Sequence, residues 1–198
     1  VRRGWVAAVA CGAAAVAVVT VRQIGADHGG GLSVPHTLDH GRYTLVRDTS
    51  GSAAHEAWTR SGAMHGMTPV AGSYRRAEPS GGRALLDFDG GSGTVRDRGG
   101  AVRAMLGYTE QTSGDTVAVA PATVRPAGSS GTFTCEVVLD RNVSAHPVYL
   151  PVCAWADSST VGVVSGVDYA RPAPAAADVD VRAFAALTAT VRREVGAG

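Results

Sequence analysis

The chain of 198 residues suffices for one domain with its own core, even after roughly 25 residues are set aside for a membrane segment. Its 18 basic side chains are all arginine and are balanced by 17 acids, so a net charge of +1 supplies no long-range field to attract nucleic acid or an anionic surface. Only 6% of the residues are aromatic, which leaves little to stack on bases, and nucleic acid is excluded as a partner. Lysine is absent, and Asn142 and Ile24 are the sole residues of their kinds, a depletion that points to a GC-rich genome.

Gly4 to Val21 carries no charge, with Arg2 and Arg3 before it and Arg22 after it. That length just spans a bilayer, and the two leading arginines predict a cytoplasmic N-terminus with the rest of the chain outside. Residues 1–24 are therefore read as a transmembrane signal anchor. A cleaved signal peptide, a lipoprotein signal ending at Cys11 and a buried core helix compete for the same residues. The first two alternatives would also export the domain. Residues 25–35, with their Gly triplet, read as a flexible tether, leaving 36–198 as an extracytoplasmic domain.

Tyr43 to Val46 is a short strand candidate, and Ala53 to Arg60 could form a helical turn. Val70 to Arg76 and Ala84 to Gly90 read as a hairpin turned at Pro79 to Gly82, and Gly90 to Gly93 as a further tight turn. A short helix is predicted over Ala101 to Leu106, then strands over Thr116 to Arg125 and Thr132 to Asp140. The clearest helix closes the chain. Val181, Phe184, Leu187, Val191 and Val195 recur at helical spacing, Asp178 can cap it and Gly196 stops it. The predicted fold class is α+β: a mainly antiparallel sheet, a few short helices and a packed C-terminal helix, preceded by one transmembrane helix.

Cys135 and Cys153 are the only cysteines outside the membrane segment, and an exported domain meets an oxidising compartment. FTCEVVLD and VYLPVCAWA read as two strands around a loop near 142–146, with both cysteines equidistant from its apex. Cross-strand partners of that kind have the separation a disulfide needs. Trp155 follows on the same face and can cover the sulfurs.

Cys135 together with the run Cys153-Ala-Trp155-Ala-Asp157-Ser-Ser-Thr160-Val-Gly162 resembles a block in uncharacterised actinobacterial membrane-anchored or secreted proteins. The segment Pro35 to Leu45 and the C-terminal helix ending in Val-Arg-Arg fit the same layout, so the likeness covers most of the exported chain. Ser158 departs from the histidine common at that position in the family. The resemblance implies an envelope location and no particular reaction. Trp155, Asp157 and Thr160 form the candidate binding surface.

No G-x-S-x-G, H-E-x-x-H or cysteine cluster is present, so no catalytic residue, metal ligand or cofactor site is assigned. His36 and His40 are four apart in a loop, and His55, His65 and His146 read as surface or loop residues. Asp87-Phe-Asp89-Gly-Gly lacks the later acids of a calcium loop and reads as a hairpin corner. The expected function is a non-catalytic cell-envelope binding or accessory module with a protein or peptide partner. The alternative is an extracellular hydrolase with an unfamiliar site.

Overall fold

The computed structural model describes residues 31–52, 56–77, 83–113, 115–129, 131–141, 148–169, 171–173 and 175–197. The anchor expected at 1–24, the turn at 79–82 and the loop at 142–146 lie outside them. Among the described residues, no helix is long and apolar enough to cross a membrane.

Two four-stranded meanders build one antiparallel sheet. The first is β1 (Thr37–Leu38), β2 (Tyr43–Asp48), β3 (Met64–Ala77) and β4 (Arg83–Val95), with the short helix α1 (Glu56–Thr59) before β3. The second is β5 (Thr116–Val124), β6 (Phe133–Asp140), β7 (Val148–Ala156) and β8 (Thr160–Asp168). They join where β4 pairs with β8, giving the eight-strand order β1-β2-β3-β4-β8-β7-β6-β5. Helix α2 (Arg98–Ser113) connects the meanders, and α3 (Val181–Val195) follows the second. The chain is thus α+β with a packed C-terminal helix.

Strand alternation sends successive side chains to opposite faces, and each helix covers one of them. Under α3 lie Leu86 and Phe88 of β4, Phe133 and Cys135 of β6, Cys153 and Trp155 of β7, and Val164 of β8. Under α2 lie Val138, Val152, Ala154, Val161 and Val163, packed on Ala101, Met105 and Leu106. Helix α3 fits its face because its stripe is apolar: Ala185, Ala189, Val191 and Val195 are all buried. Its far end also holds the β1–β2 turn. Glu194 accepts the backbone N–H groups of Asp39 at 2.7 Å and His40 at 2.9 Å, both of which sit in the left-handed region, with φ of 53° and 57°.

Several expected boundaries shift. The run Gly90 to Gly93 lies inside β4 and makes no turn, and Asp87 and Asp89 are mid-strand residues, not a hairpin corner. The reason is close approach: a Cβ at Gly90 would stand 2.8 Å from the Val161 carbonyl and one at Gly91 2.7 Å from the Trp58 ring. The cap of α3 is Asp180, whose carboxylate accepts from the Ala183 N–H at 2.9 Å, and Asp178 instead ends a 3-10 turn. The helix expected at 101–106 runs from Arg98 to Ser113. Strand β8, not anticipated as a strand, is central.

Candidate functional site

The expected disulfide is present. Cys135 and Cys153 are register partners on β6 and β7 and are bonded, with Cα atoms 4.1 Å apart. Trp155 lies in the same buried cluster, 1% exposed, stacked on Phe88 at 6.1 Å and meeting Phe133 edge-on at 6.3 Å. The strand opposite makes room for it. A Cβ at Gly162 would fall 2.4 Å from the indole.

Asp157 and Thr160 form the β7–β8 turn. The Asp157 carboxylate accepts from the Ser159 N–H at 2.8 Å, the Thr160 N–H at 2.7 Å, the Thr160 hydroxyl at 2.6 Å and Arg192 of α3 at 3.1 Å. Burial alone would push its pKa up. The Thr160 hydroxyl, the two N–H groups and Arg192 outweigh that and hold it below the usual value. All three residues expected at a binding surface are therefore brought together. Trp155 is enclosed, and the hydrogen bonds of Asp157 and Thr160 are made within the domain, where they tie the turn to α3.

The opposite face carries a cleft that the sequence reading did not single out. Asp87 and Asp89 leave β4 on the α2 side, since Leu86 and Phe88 take the α3 side. Asp140 at the end of β6 and Asp115 after α2 approach the same space. Tyr108 of α2 and Tyr169 after β8 complete a cleft of about 280 Å³ with an apolar floor that includes Val152 and Val163. Among the described residues, no arginine or histidine lines it. Asp140 is 2% exposed, whereas Asp87 is open to water at the base of the concavity. Crowding by protein raises the Asp87 pKa, and a hydrogen bond from Ser73 offsets part of that. Burial and then the Asp89 charge raise the Tyr108 phenol. Burial also raises Tyr169, with Arg83 pulling the other way and Asp140 and Asp87 adding to the rise. The guanidinium of Arg83 stands 5.4 Å from the Tyr169 ring centroid.

Four carboxylates around so small a space favour a positively charged occupant. Among the described residues, no three His, Cys, Asp or Glu side chains converge in a way that could hold a metal ion. The arrangement suits an organic cation: carboxylates for an ammonium or guanidinium, and phenol rings beside it. The signal was available in ALLDFDG, where two aspartates alternate with Leu86 and Phe88. His36 and His40 lie exposed at the β1–β2 end and His65 is exposed on β3, all outside the cleft lining. His55 and His146 are outside the described residues. No family model, curated protein or solved structure matches this chain.

Proposed function

We propose that the chain is an extracytoplasmic binding module, held at the membrane by residues 1–24, that captures a basic side chain of an envelope protein or peptide partner in the aspartate cleft without catalysing a reaction. The carrying observation is the lining itself, four aspartates and two tyrosines with no basic side chain among the described residues. The Cys135–Cys153 bond supports an exported location, because such bonds persist in oxidising compartments. The likeness to anchored or secreted actinobacterial proteins supports the same address.

Surface plasmon resonance on the full chain, with a Lys/Ala decapeptide and its Glu/Ala counterpart, tests this. The Lys peptide is expected to bind and to weaken as salt rises, and Asp87→Asn with Asp89→Asn should reduce its affinity by about tenfold or more. Equal binding of both peptides, or an unchanged affinity in the double variant, would sink the proposal.

One feature favours a second reading, an extracellular hydrolase. Asp87 and Asp89 stand two apart on one strand face, with Cα atoms about 6–7 Å apart, and the Asp87 carboxyl is raised. A carboxyl raised in this way can hold a proton beside a neighbouring carboxylate, the arrangement an acid and base pair uses. Turnover of a glycoside library that vanishes in either single Asn variant would establish that reading.

A further inference from the structure

On the other flank of α2 lies a second cleft, of about 500 Å³, between that helix and strands β5, β6 and β7. Its wall includes Glu136, which is 1% exposed; neither of its carboxylate oxygens has a hydrogen-bond partner among the described residues. A buried carboxyl in that state is costly unless it is neutral or a donor reaches it. Continuous pairing through Asp87, Ser165, Val152 and Glu136 sets three strand spacings, about 14 Å, between Asp87 of the first cleft and Glu136 of the second. Val152, on the floor of the first cleft, is the cross-strand neighbour of Glu136.

The charges of this second cleft are ordered along α2. Glu110 lies at one end, beside Glu136, and Arg103 and Arg98 lie towards the helix start. From Glu110 to Arg103 is seven residues, about 10 Å along the helix axis. The lining side chains from β5 and β7, and the remaining ones around β6, carry no charge. Burial, and then the Glu110 charge, push the Glu136 pKa up to about 7. A ligand that matches this layout has an N–H-rich cation at one end and an anion roughly one extended side chain away.

We infer that this cleft is a second binding site, for a basic amino acid or a basic C-terminal residue, with its cation held by Glu136 and Glu110 and its carboxylate by Arg103 and Arg98. The orphaned carboxyl then gains the donors it lacks. The cation must meet an ionised Glu136, so binding at pH 6 releases a proton.

Isothermal titration of the full chain in detergent with L-arginine tests the site. Agmatine, which keeps the guanidinium and lacks the carboxylate, serves as comparison. Both titrations are run on the unaltered chain and on the chain carrying Asp87→Asn and Asp89→Asn, so that the first cleft is accounted for separately. L-Arginine is expected to bind both proteins. Glu136→Gln should weaken it at least about tenfold and abolish the dependence of the heat on buffer ionisation at pH 6. Arg103→Gln should weaken L-arginine while leaving agmatine unchanged. The site is refuted if millimolar L-arginine gives no heat, if Glu136→Gln leaves affinity and proton release as they were, or if only the Asp87/Asp89 substitutions remove binding.

Discussion

The two faces of the sheet are cut from the same strands and have opposite chemistry. On β4, Ala84, Leu86 and Phe88 enter a buried apolar cluster under α3, whereas Asp87 and Asp89 face the α2 side. On β6, Phe133 and Cys135 lie under α3, whereas Glu136 and Asp140 are enclosed on the other side. The α3 face closes on itself with a disulfide, stacked rings and an apolar helix stripe. The α2 face encloses Glu136, whose carboxylate oxygens find no hydrogen-bond partner among the described residues and cost free energy to bury. A group that weakens a fold yet lines a concave surface is where a ligand would compensate for it, and this contrast supports the binding role proposed for the α2 side.

The largest effect should come from the closed face. Trp155→Ala removes the side chain that joins Phe88, Phe133 and the disulfide cluster, and should cost about 3–5 kcal/mol in urea unfolding. A loss under about 1 kcal/mol would mean that this face is not the stabilising one.

Replacing Cys135 and Cys153 together by Ser should cost about 2–4 kcal/mol in the same assay, since the bond closes a loop across 18 residues of sequence separation. Reductant should have no further effect on the double variant. A shift in its unfolding midpoint on adding reductant would mean that a bond between the Cys11 thiols of two chains contributes.

The α2 face should respond to pH in a way the α3 face does not. Glu136 has a native pKa of about 7, raised from the ordinary carboxyl value of 4.5. Between those values the native state binds the extra proton, so stability is highest near and below pH 4.5 on this account and falls as pH rises towards 7. Glu136→Gln should remove that fall and make the protein roughly 2–4 kcal/mol more stable at pH 8. Asp157 works with the opposite sign: its lowered pKa contributes stability above the ordinary carboxyl range, which is lost on acidification. A stability curve that is flat from pH 5 to 8 in the unaltered protein, once Asp157→Asn has been compared, would contradict the assignment to Glu136.

What was readable in the sequence divides along the same line. The β6 and β7 segments, the cysteine pairing and the stripe of α3 follow from alternation, from two cysteines equidistant from a loop and from helical spacing, all local patterns. The Gly90 to Gly93 run was not readable as strand, because glycine also marks turns. Only the neighbouring Trp58 ring, the Val161 carbonyl and the Gly66 carbonyl show why no Cβ fits there. Glu136 sat in plain alternation with Cys135 and Val137. Nothing local to FTCEVVLD says that a helix more than twenty residues earlier will cover its second face. Asp157 and Thr160 are prominent in the sequence as polar residues after Trp155, and their side chains are used to build the β7–β8 turn and join it to α3.

Hydrogen exchange on the full chain, with and without the Lys/Ala decapeptide, separates the faces most directly. The expected result is slowed exchange in the C-terminal half of α2 and at residues 115–117, beside Tyr108 and Asp115, with no change at 157–160 or in the last turns of α3. Protection confined to 157–160 and the end of α3 would place the bound peptide at the β7–β8 turn and contradict a binding role for the α2 face.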